Sequence, residues 1–98
     1  MKFEWDEKKN QANYRKHRLR FEEACYVFSD AYALNKFDED HSDYEDRWIM
    51  IGRSPLSNKI LVIVHTYQKI DGNEIVRIMS ARKSTKKEQQ TYLERIKS

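Results

Sequence analysis

The stretch from Lys59 to Tyr67 constrains this chain most, because Ile60-Leu61-Val62-Ile63-Val64 is a continuous apolar run between polar flanks. A strand apolar on both faces needs cover on both, which places it at the centre of a sheet. Upstream, Arg47-Trp48-Ile49-Met50-Ile51 reads as a strand ended by Gly52, and Ser54-Pro55-Leu56-Ser57-Asn58 reads as the turn joining the two into an antiparallel hairpin. Downstream, Asp71-Gly72-Asn73 is a strong turn signal that leads into a third strand over Glu74–Arg82. Tyr32–Phe37 and Phe3-Glu4-Trp5 are candidate edge strands.

Helical signals bracket this meander. Asp6 is a good N-cap for a helix over Glu7–His17, whose basic end at Arg15, Lys16 and His17 suits a helix C-terminus. That helix is poor in apolar residues, so Trp5, Ala12 and Tyr14 are expected to anchor it. Phe21, Ala24, Cys25 and Phe28 fall at i, i+3, i+4 and i+7, the stripe of a short one-sided helix. Thr85 and Glu88 have capping-box spacing and open a last helix with Tyr92, Leu93 and Ile96 as its apolar side. Helices followed by an antiparallel meander and a closing helix predict an α+β domain, and 98 residues suffice for one core only.

Function classes narrow quickly. The longest apolar run is strand-sized, the N-terminus has no apolar signal-peptide core, and the lone Cys25 allows no disulfide within the chain; a cytoplasmic location is expected. On its apolar stripe, Cys25 reads as core. His17, His41 and His65 show no metal-ligand spacing, so neither metal nor cofactor is expected. The net charge of +3 conceals segregation: residues 1–20 carry +4, residues 21–47 carry −7 and residues 48–98 carry +6. Asymmetry of this kind bears on partners rather than on fold.

The sharpest feature is the basic segment Arg77–Lys87. Regular alternation puts Arg77 on the face of Ile75, Met79 and Ala81, and Arg82 on the face of Val76, Ile78 and Ser80, so each arginine interrupts an apolar row. Free amides opening the last helix, together with Lys83, Lys86 and Lys87, would suit a phosphate. The bland reading pairs Arg77 with an internal carboxylate and leaves the lysines as a solvated face. Glu45 and Arg47 straddle the start of the first central strand; they read either as an ion pair at a sheet end or as a proton acceptor beside a phosphate-binding cation. His17, in a basic cluster with Lys16, is either a proton mover or part of a helix C-terminus, whereas His65 reads as structural.

Taken in order, several pieces resemble the BrnT family of type II toxin–antitoxin toxins. They are Phe3-Glu4-Trp5-Asp6-Glu7-Lys8-Lys9, Asn13 with Lys16-His17, Phe21-Glu22-Glu23-Ala24, and Asp38 to Ser42. Glu45-Asp46-Arg47-Trp48, Ile51-Gly52-Arg53-Ser54 and Arg77–Arg82 with Glu88 and Tyr92 complete the set. Arg18 departs from it, since the family usually has Gly after the Lys-His pair. The resemblance implies a RelE-like fold and a ribonuclease that arrests translation. It also implies neutralisation by a BrnA-type antitoxin in a hetero-oligomer that represses its own operon, with operator DNA bound through the antitoxin.

On that basis the expected chemistry is metal-independent RNA cleavage by the neighbouring 2′-OH. Arg82 and Arg47 hold the phosphate, with Arg77 as a third cation or a brace; Glu45 and His17 move protons, and Tyr92 stacks on a base or donates a hydrogen bond. Lys16, Lys83, Lys86 and Lys87 are the expected RNA-binding lysines. The alternatives are a non-catalytic RNA- or ribosome-binding module and a pure corepressor.

Overall fold

A computed structural model describes residues 1–97, and among them five strands form one sheet. In chain order these are β1 (Lys2–Glu4), α1 (Glu7–His17), α2 (Phe21–Val27), β2 (Leu34–Phe37), β3 (Arg47–Arg53), β4 (Ile60–Ile70), β5 (Asn73–Lys83) and α3 (Lys86–Lys97). The strand order is β1-β5-β4-β3-β2, so the apolar run in β4 is central, as its composition requires. The sheet is mixed rather than wholly antiparallel, because β1 pairs parallel to β5. Helices α1 and α2 span from β1 at one edge of the sheet to β2 at the other.

Both hairpin turns follow from local chemistry. Asp71 and Gly72 both have positive φ, at 50° and 81°, giving a two-residue turn of the kind that matches strand twist. In the longer turn Ser54 is fully buried, and its Oγ accepts the amides of Leu56 and Ser57 at 3.1 and 3.5 Å. Gly52 does not end β3 but lies within it. A Cβ there would sit 2.6 Å from Val27 Cγ1 and 3.1 Å from Ala33 Cβ, so glycine lets α2 approach the sheet.

The core lies between the sheet and the two N-terminal helices. Phe21, Ala24 and Val27 of α2 pack on Leu61, Ile63, Val76, Ile78 and Ala81. This set shows where regular alternation fails. His65 pairs with Ile78 but Val64 pairs with Ser80, so Met79 is an extra residue, a β-bulge. Beyond it the faces of β5 exchange. Val76, Ile78 and Ala81 all point to the core, and Arg77, Ser80 and Arg82 share the opposite, outer face. The two arginines therefore do not interrupt opposite apolar rows, as strict period two had implied.

Helix α1 itself is held mainly by polar anchors, while the expected apolar anchor Trp5, just before it, packs on the core edge-on to Phe21. Ala12 is exposed, and the buried residues of the helix are Asn10 and Asn13. Asn13 Oδ1 accepts the Ala81 amide at 3.1 Å, while its Nδ2 donates to the Ala81 carbonyl at 2.8 Å and to the Leu19 carbonyl at 2.9 Å. Its carboxamide thus completes the edge of β5 just where β1 has ended. Asn10 Oδ1 accepts the Phe21 amide at 2.8 Å, which caps α2 from outside, and its Nδ2 donates to Glu22 at 2.9 Å. Arg18 closes α1 in the left-handed region (φ 58°), with its amide donating to the Tyr14 carbonyl at 2.8 Å. A non-glycine residue there carries roughly 1 kcal/mol of strain.

Asn13→Ala leaves both polar groups of Ala81 buried without partners. Loss of about 2–4 kcal/mol is expected, read as a lower urea midpoint at unchanged m-value. His65 yields a pH prediction. It is 2% exposed, stacks edge-on against Phe28 at 4.9 Å, and has no partner for Nδ1, so burial pushes its pKa down to about 4. The native state therefore binds fewer protons than the unfolded chain between about 4 and 6.5, and stability falls as pH drops through that window. About 2–3 kcal/mol should disappear between pH 7 and pH 4. His65→Leu should flatten that slope in urea titrations at a series of pH values.

Candidate active site

The outer face of the sheet carries cations in a register set by strand pairing. Arg47 of β3 and Arg77 of β5 both lie opposite Thr66 of β4, which puts the two arginines in one row, roughly 10 Å apart across two strand spacings. Glu4 of β1 continues the row and meets Arg77 Nη1 at 3.5 Å. Arg82 lies opposite Val62, four β4 residues further on, or about 13 Å along the strands.

A groove of about 400 Å³ opens beside Arg47. Lys9, Asp38, His41, Arg47 and Ser80 line it, over a floor that includes Ile49 and Val64. Lys9 reaches the groove because Asn13, one turn along α1, fixes that helix against the β5 edge. Arg47 Nε is buried without a hydrogen-bond partner, and no ion pair engages Arg47 among the described residues. With no ion pair among the described residues, the Arg47 guanidinium that lines this groove can take an anion. Glu45 is exposed and lines a neighbouring hollow that also includes His41 and Arg47.

Other residues singled out from the sequence lie elsewhere. Arg82 is held by Glu88, with Nη1 and Nη2 each donating to a carboxylate oxygen at 2.8 Å. The same carboxylate accepts the Thr85 amide at 2.8 Å while Thr85 Oγ1 accepts the Glu88 amide at 3.2 Å, completing the capping box. The N-terminus of α3 is thus already occupied by an anion of the chain itself, contrary to the expectation of a free phosphate seat. The Arg82 hydrogen bonds, opposed by partial burial and helped by the Thr85 amide, hold Glu88 down to about 2. Lys16, Lys83, Lys86 and Lys87 are exposed, and Lys83 lines a second basic hollow with Arg53 and Lys59. His17 lies eight residues beyond Lys9 on α1, about 12 Å along the helix.

Tyr92 is 1% exposed, and its hydroxyl donates to Asp30 Oδ2 at 2.6 Å, with Arg53 stacked 5.7 Å from the ring centre. Asp30 also accepts the amides of Arg53 at 2.8 Å and Tyr32 at 3.0 Å. Burial opposes ionisation of Asp30, but these donors outweigh it and lower its pKa. Tyr92 therefore docks α3 against the end of α2, and Leu93 and Ile96, expected beside it on the apolar side, stay exposed. Cys25 lies against the core, where burial and then Glu22 push its thiol up to about 11.

The Asp38–His41 pair was not legible from the spacing of the histidines. Its signal was the i, i+3 relation inside the acidic stretch, which reads as loop until the turn is folded. Among the described residues, no three His, Cys, Asp or Glu side chains converge as a metal-ligand set, and no helix is long and apolar enough to cross a membrane.

The domain is a small α+β fold in which Arg47 and Lys9 line an open groove and Arg77 and Arg82 share the same sheet face, a surface that suits a polyanion. A family model described as the ribonuclease toxin BrnT of type II toxin–antitoxin systems matches residues 5–88. The chain belongs to this family of ribonuclease toxins. Among curated proteins, none matches it.

The Arg82–Glu88 pair also makes a testable linkage. Because the folded pKa of Glu88 is depressed, its contribution is present above about 4.5 and is lost as pH falls towards 2. A double-mutant cycle with Arg82→Ala and Glu88→Ala should return a coupling of about 1 kcal/mol at neutral pH that is largely lost as pH falls to about 2.

Proposed function

We propose that the groove beside Arg47 holds and cleaves the RNA backbone without a metal ion. The carrying observation is the Arg47 guanidinium, which lines the groove beside Lys9 and makes no ion pair among the described residues. A scissile phosphate set there meets Arg47 directly, with Arg77 in the same row. Charge gathering on the phosphoryl oxygens as the 2′-OH attacks is stabilised by cations already held in place by the sheet. Arg82, steadied by Glu88, meets the backbone further along the same face, and Lys83, Lys86, Lys87 and Lys16 extend the basic field around it. Of the two residues expected to move protons, Glu45 borders the hollow next to Arg47 and serves there as a hydrogen-bond acceptor for the RNA, while His17, at the far end of α1, adds to the basic field. Tyr92 contributes by fixing α3, and with it Glu88 and Arg82.

The target is messenger RNA in the cytoplasm, and its cleavage halts translation. A BrnA-type antitoxin neutralises the chain by covering the groove with acidic or apolar residues, and the complex represses its own operon through the antitoxin's DNA-binding part.

Arg47→Ala is expected to abolish growth arrest on expression. In vitro it should lower cleavage of a defined RNA by about 100-fold or more, in the presence of chelator and at an unchanged melting temperature. Toxicity equal to that of the unmodified chain would remove Arg47 from the site. Wild-type cleavage that stops on adding chelator would overturn the metal-independent reading.

A further inference from the structure

We propose that His41, oriented by Asp38, is the general base of the reaction in the Arg47 groove, an assignment that rests on the ribonuclease reading above. Strand pairing brings the groups together. The Asp38 amide donates to the Arg47 carbonyl at 2.8 Å, extending the β2–β3 ladder by one residue beyond Phe37 and Trp48. Since Phe37 and Trp48 stack on the inner face, Asp38 and Arg47 emerge together on the outer one. Ser42 locks the intervening turn: its Oγ donates to the Asp38 carbonyl and accepts the Arg47 amide at 3.0 Å. His41 is carried on that turn within the short 3-10 segment Glu39–His41.

The pair has the geometry of an oriented imidazole. His41 Nδ1 lies 3.0 and 3.2 Å from the two Asp38 carboxylate oxygens. The Asp38 side chain is 11% exposed, whereas that of His41 is 67% exposed. A carboxylate can only accept, so it selects the tautomer with hydrogen on Nδ1 and leaves the Nε2 lone pair free. His41 borders both hollows that flank Arg47, so substrate bound at Arg47 comes within reach of that lone pair.

The step balances with groups that line the groove. Nε2 of His41 takes the 2′-OH proton, O2′ attacks phosphorus, and the P–O2′ bond forms as the P–O5′ bond breaks. The departing O5′ takes a proton from the Lys9 ammonium, which lines the same groove. The products are a 2′,3′-cyclic phosphate and a 5′-hydroxyl, after which solvent removes the proton from His41 and restores that of Lys9.

The test uses the purified full chain and a short RNA with chelator present, comparing wild type, His41→Ala, His41→Gln and Asp38→Asn. His41→Ala should lower kcat by about 100- to 10,000-fold with KM changed less than about threefold. It should also flatten the acidic limb of the kcat/KM profile, and added imidazole should restore turnover saturably. His41→Gln should match its loss while keeping the wild-type melting temperature, and Asp38→Asn should lower kcat and shift the same limb. His41→Ala and His41→Gln that cleave at the wild-type rate with an intact limb overturn the assignment and leave the ribonuclease reading standing. Rate loss that tracks a lowered melting temperature and ignores imidazole assigns His41 to holding the turn, which also overturns it. A wild-type chain that cleaves no RNA under these conditions overturns the ribonuclease reading, and His41 with it.

Discussion

One side-chain amide organises this molecule. Asn13 pairs with both the N–H and the C=O of Ala81, so a helix with almost no apolar surface completes the edge of a β-sheet. Without such a partner the β5 edge beyond β1 would present open polar groups, the usual liability of edge strands. The same contact sets the position of Lys9 one turn earlier, at the mouth of the cationic groove. Fold stability and site geometry therefore share an anchor, and Asn10 repeats the device by capping α2.

The bulge at Met79 is the second decision. By inserting one residue it turns Ala81 into the core and sends Arg82 to the face that already holds Arg77. The result is one face packed into the core and an outer face where Arg47, Arg77 and Arg82 stand beside Ile49, Val62 and Val64, in place of an arginine interrupting each face. The cations differ in their commitments. Glu88 satisfies Arg82 and Glu4 engages Arg77, whereas Arg47 keeps an unanswered Nε. A buried donor without a partner is costly, and such groups concentrate where a ligand completes them.

Most elements were visible in the chain itself, for local reasons. Asp6, the Thr85–Glu88 box, Asp71-Gly72 and the apolar run of β4 each act within a few residues, so their signals survive without tertiary context. The failures share the opposite cause. The anchoring roles of Asn10 and Asn13 had no local signal, because their partners, Phe21 and Ala81, are 11 and 68 residues away. Gly52 looked like a strand end, but the crowding that requires it comes from Val27. Leu93 and Ile96 fit a helical stripe, yet α3 docks mainly through Tyr92 and its hydroxyl on Asp30.

The candidate site divides in the same way. By itself the sequence determined an α+β domain with a central β4, a basic strand-to-helix segment and a chain of motifs marking a family of ribonuclease toxins. Residue type and short-range periodicity carry that information. Only the tertiary structure decided which cations lie together. It drew Arg82 into the α3 cap, left Arg47 open beside Lys9, and folded an acidic turn so that Asp38 meets His41 at the same sheet end. Strand register decides such neighbours, and a single bulged residue is enough to exchange every side chain beyond it between the two faces.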